Sequence, residues 1–217
     1  MRYPLQGLPI ESTTVGGLAA SFYPPPRGQG AVPLRGAWLD SWSPQHLLPA
    51  MKADINMPLP LEDSAPKDFD FIIGDWIVKH RRLNERLSGC NDWTEFSGRS
   101  STSKTLGGFG NLEDNILEFP DGAFRAVAMR SYCPKNKSWS IWWLDGRNPT
   151  HLDAPVVGQF TGSIGVFYAN DFLDSKPIKI RFTWSSVPGE GPRWEQAFSA
   201  DAGSTWETNW TMQFVRA

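Results

Sequence analysis

Residues 192–216 read PRWEQAFSADAGSTWETNWTMQFVR, two alternating stretches folded about one turn. In the second stretch Trp206, Thr208, Trp210, Met212 and Phe214 share one face of an extended chain, and Glu207, Asn209, Thr211 and Gln213 share the other. One face is aromatic and the other is wet. A strand with one buried face needs a second layer or a closed sheet to cover it, so the pattern predicts an antiparallel sandwich or barrel.

Working back from this hairpin, turn chemistry punctuates the chain from Asp68 onward at roughly the eight-to-twelve-residue spacing of an all-β domain. Strands are expected at 71–83, 93–105, 111–119, 123–133, 138–145, 156–160, 165–169, 178–185, 193–199 and 205–216, about ten in all. Gly107, Gly108 and Gly110 mark a bend, and Pro120-Asp121-Gly122 a tight turn. No long helix fits between the strands, and strands joined by short turns are antiparallel because a parallel connection needs a crossover. Closing the sheet removes its edges more completely than stacking does. The domain is therefore expected over residues 68–216.

Residues 1–65 differ in kind. YPPPRGQGAVP, SPQHLLP and MPLPLEDSAP are dense in Pro and Gly with no sustained period of 2 or 3.6, and proline resists both ladder and helix. This extension is expected to be disordered or weakly docked, with residues 34–42 and 43–52 able to form a turn of helix or dock an aromatic. Met51 and Met57 offer alternative translation starts.

The 217 residues carry a formal charge of −2, and their isoelectric point is about 5.9, so no basic field attracts phosphate and nucleic acid is not an expected partner. Eleven Trp and 13 Phe against four Tyr favour bulky apolar surface, usable for core packing or for stacking on a ligand. No run approaches the roughly 18 apolar residues of a membrane span, and no charged segment followed by an apolar run opens the chain. A cytoplasmic protein is the expectation. Cys90 and Cys133 have no metal-ligand spacing around them and read as idle thiols.

IGDW at residues 73–76 resembles the Gly-x-Trp signature that opens lipocalin-like (calycin) barrels, in which the Trp packs across the closed end. FDFIIGDWIVKHRRL, GGFGNLED, WSIWWLDGR, PVVGQF, RFTWS and RWEQAFSADAGSTWETNW, in that order, resemble a bacterial family of small lipocalin-like proteins with no agreed activity. The resemblance covers residues 68–216. It implies an antiparallel barrel with an interior cavity and brings no catalytic set, so site residues follow from the side chains alone.

With Trp76 inward, alternation puts Val78, His80 and Arg82 inside and Ile77, Lys79, Arg81 and Leu83 outside. His80 would then exchange a proton near neutral pH and Arg82 would be a fixed cation for an oxyanion; alternatively the strand has left the barrel by residue 80 and both reach water at the rim. Asn111, Glu113 and Asn115 alternate on the third strand, the usual mark of a solvated outer face. If they face inward, Glu113 is the carboxylate to pair with His80 or Arg82. Gln196 stands between Trp194 and Phe198 as a polar group among aromatics, while Glu195 is expected to pair with Arg181 outside. Arg130 and Tyr132 share a face with Phe124, Ala126 and Ala128, whose small side chains leave room inside. Trp142 and Trp143 must point opposite ways. Trp76, Arg130, Tyr132, Trp142, Trp184, Gln196 and Trp210 make up the expected ligand-binding set, and His80, Arg82 and Glu113 the expected catalytic one.

HExxH, paired CxxC, GxSxG and Walker loops are missing, and the glycines at 107–110 precede a strand and not a helix. His151 reads as a loop residue at the barrel mouth, and two histidines without a third ligand define no metal site. No cofactor is expected. The leading reading is a cavity for a small, largely apolar aromatic or acyl molecule, anchored by Arg82, His80 and Gln196. A cofactor-free isomerase, cyclase or hydratase using His80 and Arg82, a haem barrel with His80 or His151 as axial ligand, and an interaction module with a filled core stand as alternatives.

Overall fold

The computed structural model describes residues 59–187 and 189–217. The expectations for residues 1–58, including the pieces at 34–42 and 43–52 and the starts at Met51 and Met57, lie outside the described residues.

Ten strands form one closed antiparallel barrel: β1 (Gly74–Leu83), β2 (Trp93–Thr105), β3 (Gly110–Phe119), β4 (Gly122–Cys133), β5 (Ser138–Asp145), β6 (Val156–Thr161), β7 (Ile164–Leu173), β8 (Lys176–Val187), β9 (Gly191–Ser199) and β10 (Glu207–Arg216). Each strand pairs with the next in sequence, and β1 closes the ring on β10 through Trp76↔Arg216 to Arg82↔Trp210. The closure is thinnest between β5 and β6, which pair only through Trp139–Ile141 and Val156–Gly158. Among the described residues no helix is long and apolar enough to cross a membrane.

One end of the barrel is plugged. A 3-10 turn at Asp70–Ile72 enters the ring just before β1, held where the indole N–H of Trp76 donates to the Ile72 carbonyl at 2.7 Å. Phe69 and Ile72 are buried there, and the Phe69 ring meets Trp139 and Phe160 edge to face at 5.0 and 4.9 Å. Trp139 donates its N–H to Asp68 at 3.0 Å, and Lys104 pairs with Asp70 at 2.6 Å, so the plug is fastened by polar bonds as well as packing. The glycine bend is a 3-10 turn at Leu106–Gly108, with Gly107 at φ 64° and Gly108 at φ 100°, conformations that suit a residue without Cβ. Ahead of β1, the Glu62 N–H bonds to the Gly107 carbonyl at 2.8 Å.

Alternation describes β1 as far as His80: Trp76, Val78 and His80 are buried between exposed neighbours. Leu83, assigned to the outside by the same count, is buried. It ends the strand at the hairpin where Asn84 N–H bonds Asp92 C=O, and alternation stops describing burial there. A larger correction falls on the hairpin at 192–216. The β9–β10 register breaks between Thr208 and Trp210, leaving Asn209 as an extra residue, and one inserted residue reverses the facing of everything before it. Trp210, Met212 and Phe214 point inward as expected. Trp206 does not: it packs against Tyr168 at 5.9 Å and under the Arg181 guanidinium at 4.5 Å, on the outer surface. With Arg181 so engaged, Glu195 pairs with Arg193 at 2.6 Å instead.

Candidate functional site

Away from the plug the barrel holds a cavity of about 430 Å³. It opens between the free ends of the strands, past Arg82 of β1, Phe124 of β4, Asp145 of β5 and Leu173 of β7. Its two walls differ because strands on opposite sides of the ring turn different residues inward.

The aromatic wall comes from β8, β9 and β10. Register sets Trp184 against Trp194, Phe182 against Gln196, and Trp194 and Gln196 against Met212 and Trp210. The rings meet edge to face, Phe182 on Trp194 at 4.9 Å and Trp194 on Trp210 at 5.8 Å. Gln196 is the polar group in this wall, and its amide donates to Asn209 Oδ1 at 2.8 Å, a partner that the bulge turns toward it.

The opposite wall comes from β3 and β4 and is polar. Asn111, Glu113 and Asn115 face inward, buried to 2, 3 and 6 % exposure, which overturns the solvated outer face that their alternation suggested. Their outward neighbours Leu112 and Asp114 are the exposed ones. The expected pairing of Glu113 with His80 or Arg82 is also corrected. Glu113 forms an ion pair with Arg130, a diagonal neighbour across the β3–β4 ladder, with both side chains buried. Arg130 also donates to Asn111 Oδ1 at 2.8 Å and lies 4.8 Å over the Trp184 ring and 5.1 Å over Phe69. Ala128 and Ala126 stand opposite Glu113 and Asn115, and Ala128 lines the cavity, leaving the space a larger residue would fill. Among the described residues, the buried atoms without a hydrogen-bond partner are Ser100 Oγ, Thr102 Oγ1, Arg130 Nε, Trp184 Nε1 and Asn209 Nδ2.

His80 is buried but does not line the cavity. Its ring stacks on Phe96 at 4.5 Å and 4°, its Nδ1 accepts the Trp210 indole N–H at 3.3 Å, and its Nε2 stands against the backbone of Gly98. The bond from Trp210 assigns the ring proton to Nε2. Burial lowers the His80 pKa to about 4, so the ring is neutral at pH 7. It supports Trp210 from behind, and neither a general base acting in the cavity nor an axial ligand can be drawn from that position.

Arg82 stands at the mouth, its guanidinium 4.8 Å over Trp210 and 5.7 Å over Phe119. Around it the rim carries Arg86, Arg147 and His151 against Asp145 and Asp153. The hydrogen bond from Arg147 holds the Asp145 carboxyl below its usual range, aided by the charges of Arg147 and Arg82. Asp153 goes the other way, raised by burial and by the nearby carboxylates of Asp171 and Asp145. His151 is exposed and 3.6 Å from Asp153.

Of the expected ligand-binding set, Arg130, Trp142, Trp184, Gln196 and Trp210 line the cavity. Trp76 is spent on the plug, and Tyr132 packs on Trp139 at 5.3 Å toward the closed end; neither lines the cavity. Trp143 shares the inner face with Ala128 and Trp142 pairs with the exposed Met129, yet both line the cavity. The signal was present in the sequence, since Trp139, Ile141 and Trp143 alternate on an apolar face while Ser138, Ser140 and Trp142 share the other. Phe182 and Asn209 were not anticipated as site residues. Cys90 and Cys133 are free thiols, half-buried.

No protein-family model matches this chain, and no curated protein matches it.

Proposed function

We propose that this protein is a lipocalin-like (calycin) barrel that binds a small, largely apolar molecule, aromatic or acyl, in its cavity, with Gln196 and Arg82 as polar anchors. The observation that carries the reading is a cavity of about 430 Å³ that opens at one end, one-sidedly aromatic, with a few polar groups converging on it. An aromatic ligand stacks among Phe182, Trp194 and Trp210, and an anionic tail would rest among the rim arginines. The alternative of a proton-transferring isomerase, cyclase or hydratase draws no support from His80, which is walled off behind Trp210. A haem barrel draws none from it either. Free cysteines fit the reducing cytoplasm, which we propose as the compartment.

Two measurements test this. Native mass spectrometry of the freshly purified chain should find a co-purifying small molecule. Titration with 1-anilinonaphthalene-8-sulfonate, an aromatic body with one anionic group, should give saturable fluorescence enhancement. Ala128→Phe, which places a phenyl ring in the cavity, should weaken that binding by at least roughly tenfold. Equal binding by the variant, or no saturable binding by the wild type, would sink the proposal.

A further inference from the structure

The cavity floor holds a feature that its apolar walls do not explain. Arg130 is buried to 1 % exposure and spends both ends of its guanidinium fork within the protein, one on Asn111 Oδ1 and one on Glu113 Oε2, yet its Nε–H has no partner. The Trp184 indole, whose ring lies 4.8 Å beneath that guanidinium and is itself buried to 3 % exposure, also carries an unpartnered N–H. Both residues line the cavity. Buried donors are normally satisfied, because leaving one unmade sacrifices its hydration for nothing. Two on neighbouring side chains, from strands across the ring from one another, mark where an acceptor atom would be stabilised.

Charge decides which acceptor. Arg130 is already neutralised by Glu113, whose side chain is 4 % exposed, so a ligand carboxylate would bring a second negative charge against it in a poorly solvated site. A carbonyl oxygen has two lone pairs with which to accept two hydrogen bonds, and it brings no charge. We propose, resting on the ligand-cavity reading above, that the cavity floor is a subsite for a neutral carbonyl group, so that the protein selects aromatic or acyl ketones, aldehydes, esters or amides. Arg130 Nε and Trp184 Nε1 are the donors that receive the oxygen. The ligand enters carbonyl first, its apolar body lies along the aromatic wall, and any charged end stays at the rim with Arg82 and Arg147.

The test compares three probes of one shape on the full-length chain at pH 7 by calorimetry: 2-acetylnaphthalene, 2-ethylnaphthalene and 2-naphthoate. The ketone should bind about tenfold more tightly than the hydrocarbon and also more tightly than the carboxylate. Trp184→Phe keeps a ring and removes the donor, and it should cut the ketone's advantage over the hydrocarbon to roughly threefold or less. Because that variant removes core packing, a second measurement stands on the wild type alone: the infrared carbonyl stretch of bound ¹³C-labelled ketone should fall below its position in hexane. Equal affinity for ketone and hydrocarbon, preference for the carboxylate, an unshifted carbonyl band, or an unchanged advantage in a folded Trp184→Phe would each overturn the carbonyl subsite while leaving the ligand cavity standing. No binding of any of the three probes would overturn both.

Discussion

Arg130 and Glu113 should behave as one unit in stability. Replacing Arg130 by Met leaves the Glu113 carboxylate, 4 % exposed, without its counter-charge, and loss of one partner of a buried pair costs about 3–5 kcal/mol. The same change strips Asn111 Oδ1 of its donor, about 1 kcal/mol more, and removes the guanidinium from over Phe69 and Trp184. Glu113→Leu leaves the guanidinium uncompensated at a similar penalty. The double variant removes both charges together and keeps an apolar filling, so only the Asn111 loss and imperfect packing remain, about 1–2 kcal/mol. The coupling energy between the two positions is then at least about 5 kcal/mol. Urea unfolding at pH 7, followed by tryptophan fluorescence, reads this directly. With a slope of roughly 2 kcal/mol per molar, Glu113→Leu should lose about 1.5–2.5 M in midpoint, Arg130→Met about 2–3 M and the double about 0.5–1 M. A single variant too unstable to fold fits the reasoning only if the double folds. Single variants within about 1 kcal/mol of wild type, or losses that simply add, would refute it, because the pair would then be held in solvent-like surroundings.

His80 gives the barrel an acid sensitivity of known direction. With its folded pKa lowered to about 4 against 6.5 unfolded, the unfolded chain takes up a proton that the folded one refuses; its stabilising share is whole above pH 6.5 and falls on the order of 3 kcal/mol by pH 4. Urea midpoints of wild type and His80→Phe at pH 7, 5.5 and 4.5 should converge as pH falls, and parallel curves would refute the assignment. Gly98→Ala should lose about 1–3 kcal/mol, since a Cβ there would stand 2.7 Å from both His80 Nε2 and the Ile116 carbonyl oxygen, and the carbonyl cannot move aside. Thermal unfolding would check it, and a change under about 0.5 kcal/mol would show that β2 and β3 are looser there than the structure has them.

Local patterning announced the strands well because strand, turn and facing are written within a few residues of one another. The spans 93–105 and 138–145 coincide with β2 and β5, and the inward run of Phe124, Ala126, Ala128 and Arg130 follows from a simple count of two. What that count could not carry was facing across an irregularity. Trp206, Thr208 and Trp210 keep perfect alternation in the sequence while the chain inserts Asn209 between them, and Trp206 looks like core because stacking on Tyr168 and Arg181 also calls for an aromatic. Glu113 failed differently. Polar alternation normally marks the wet face, and what inverts it is Arg130 on the neighbouring strand, a partner 17 residues away that only the register brings diagonal to it.

The same inversion bears on what the barrel is for. A ring of ten strands meant only as a scaffold is best filled with aliphatic and aromatic side chains, as the plugged end here is filled by Phe69, Ile72, Trp139 and Phe167. Past the plug the inner surface changes character: Asn111, Glu113, Asn115 and Arg130 occupy one wall, Ala128 leaves space before them, and hydrogen-bonding capacity goes unused at Arg130 and Trp184. Buried polar groups that are only partly satisfied destabilise a core, so they are a poor choice for packing and a good one for receiving something. His80 belongs to the packing side of that divide. Kept neutral between Phe96 and Gly98, it presses Trp210 toward the cavity, and its chemistry serves the shape of the aromatic wall more than any reaction within it.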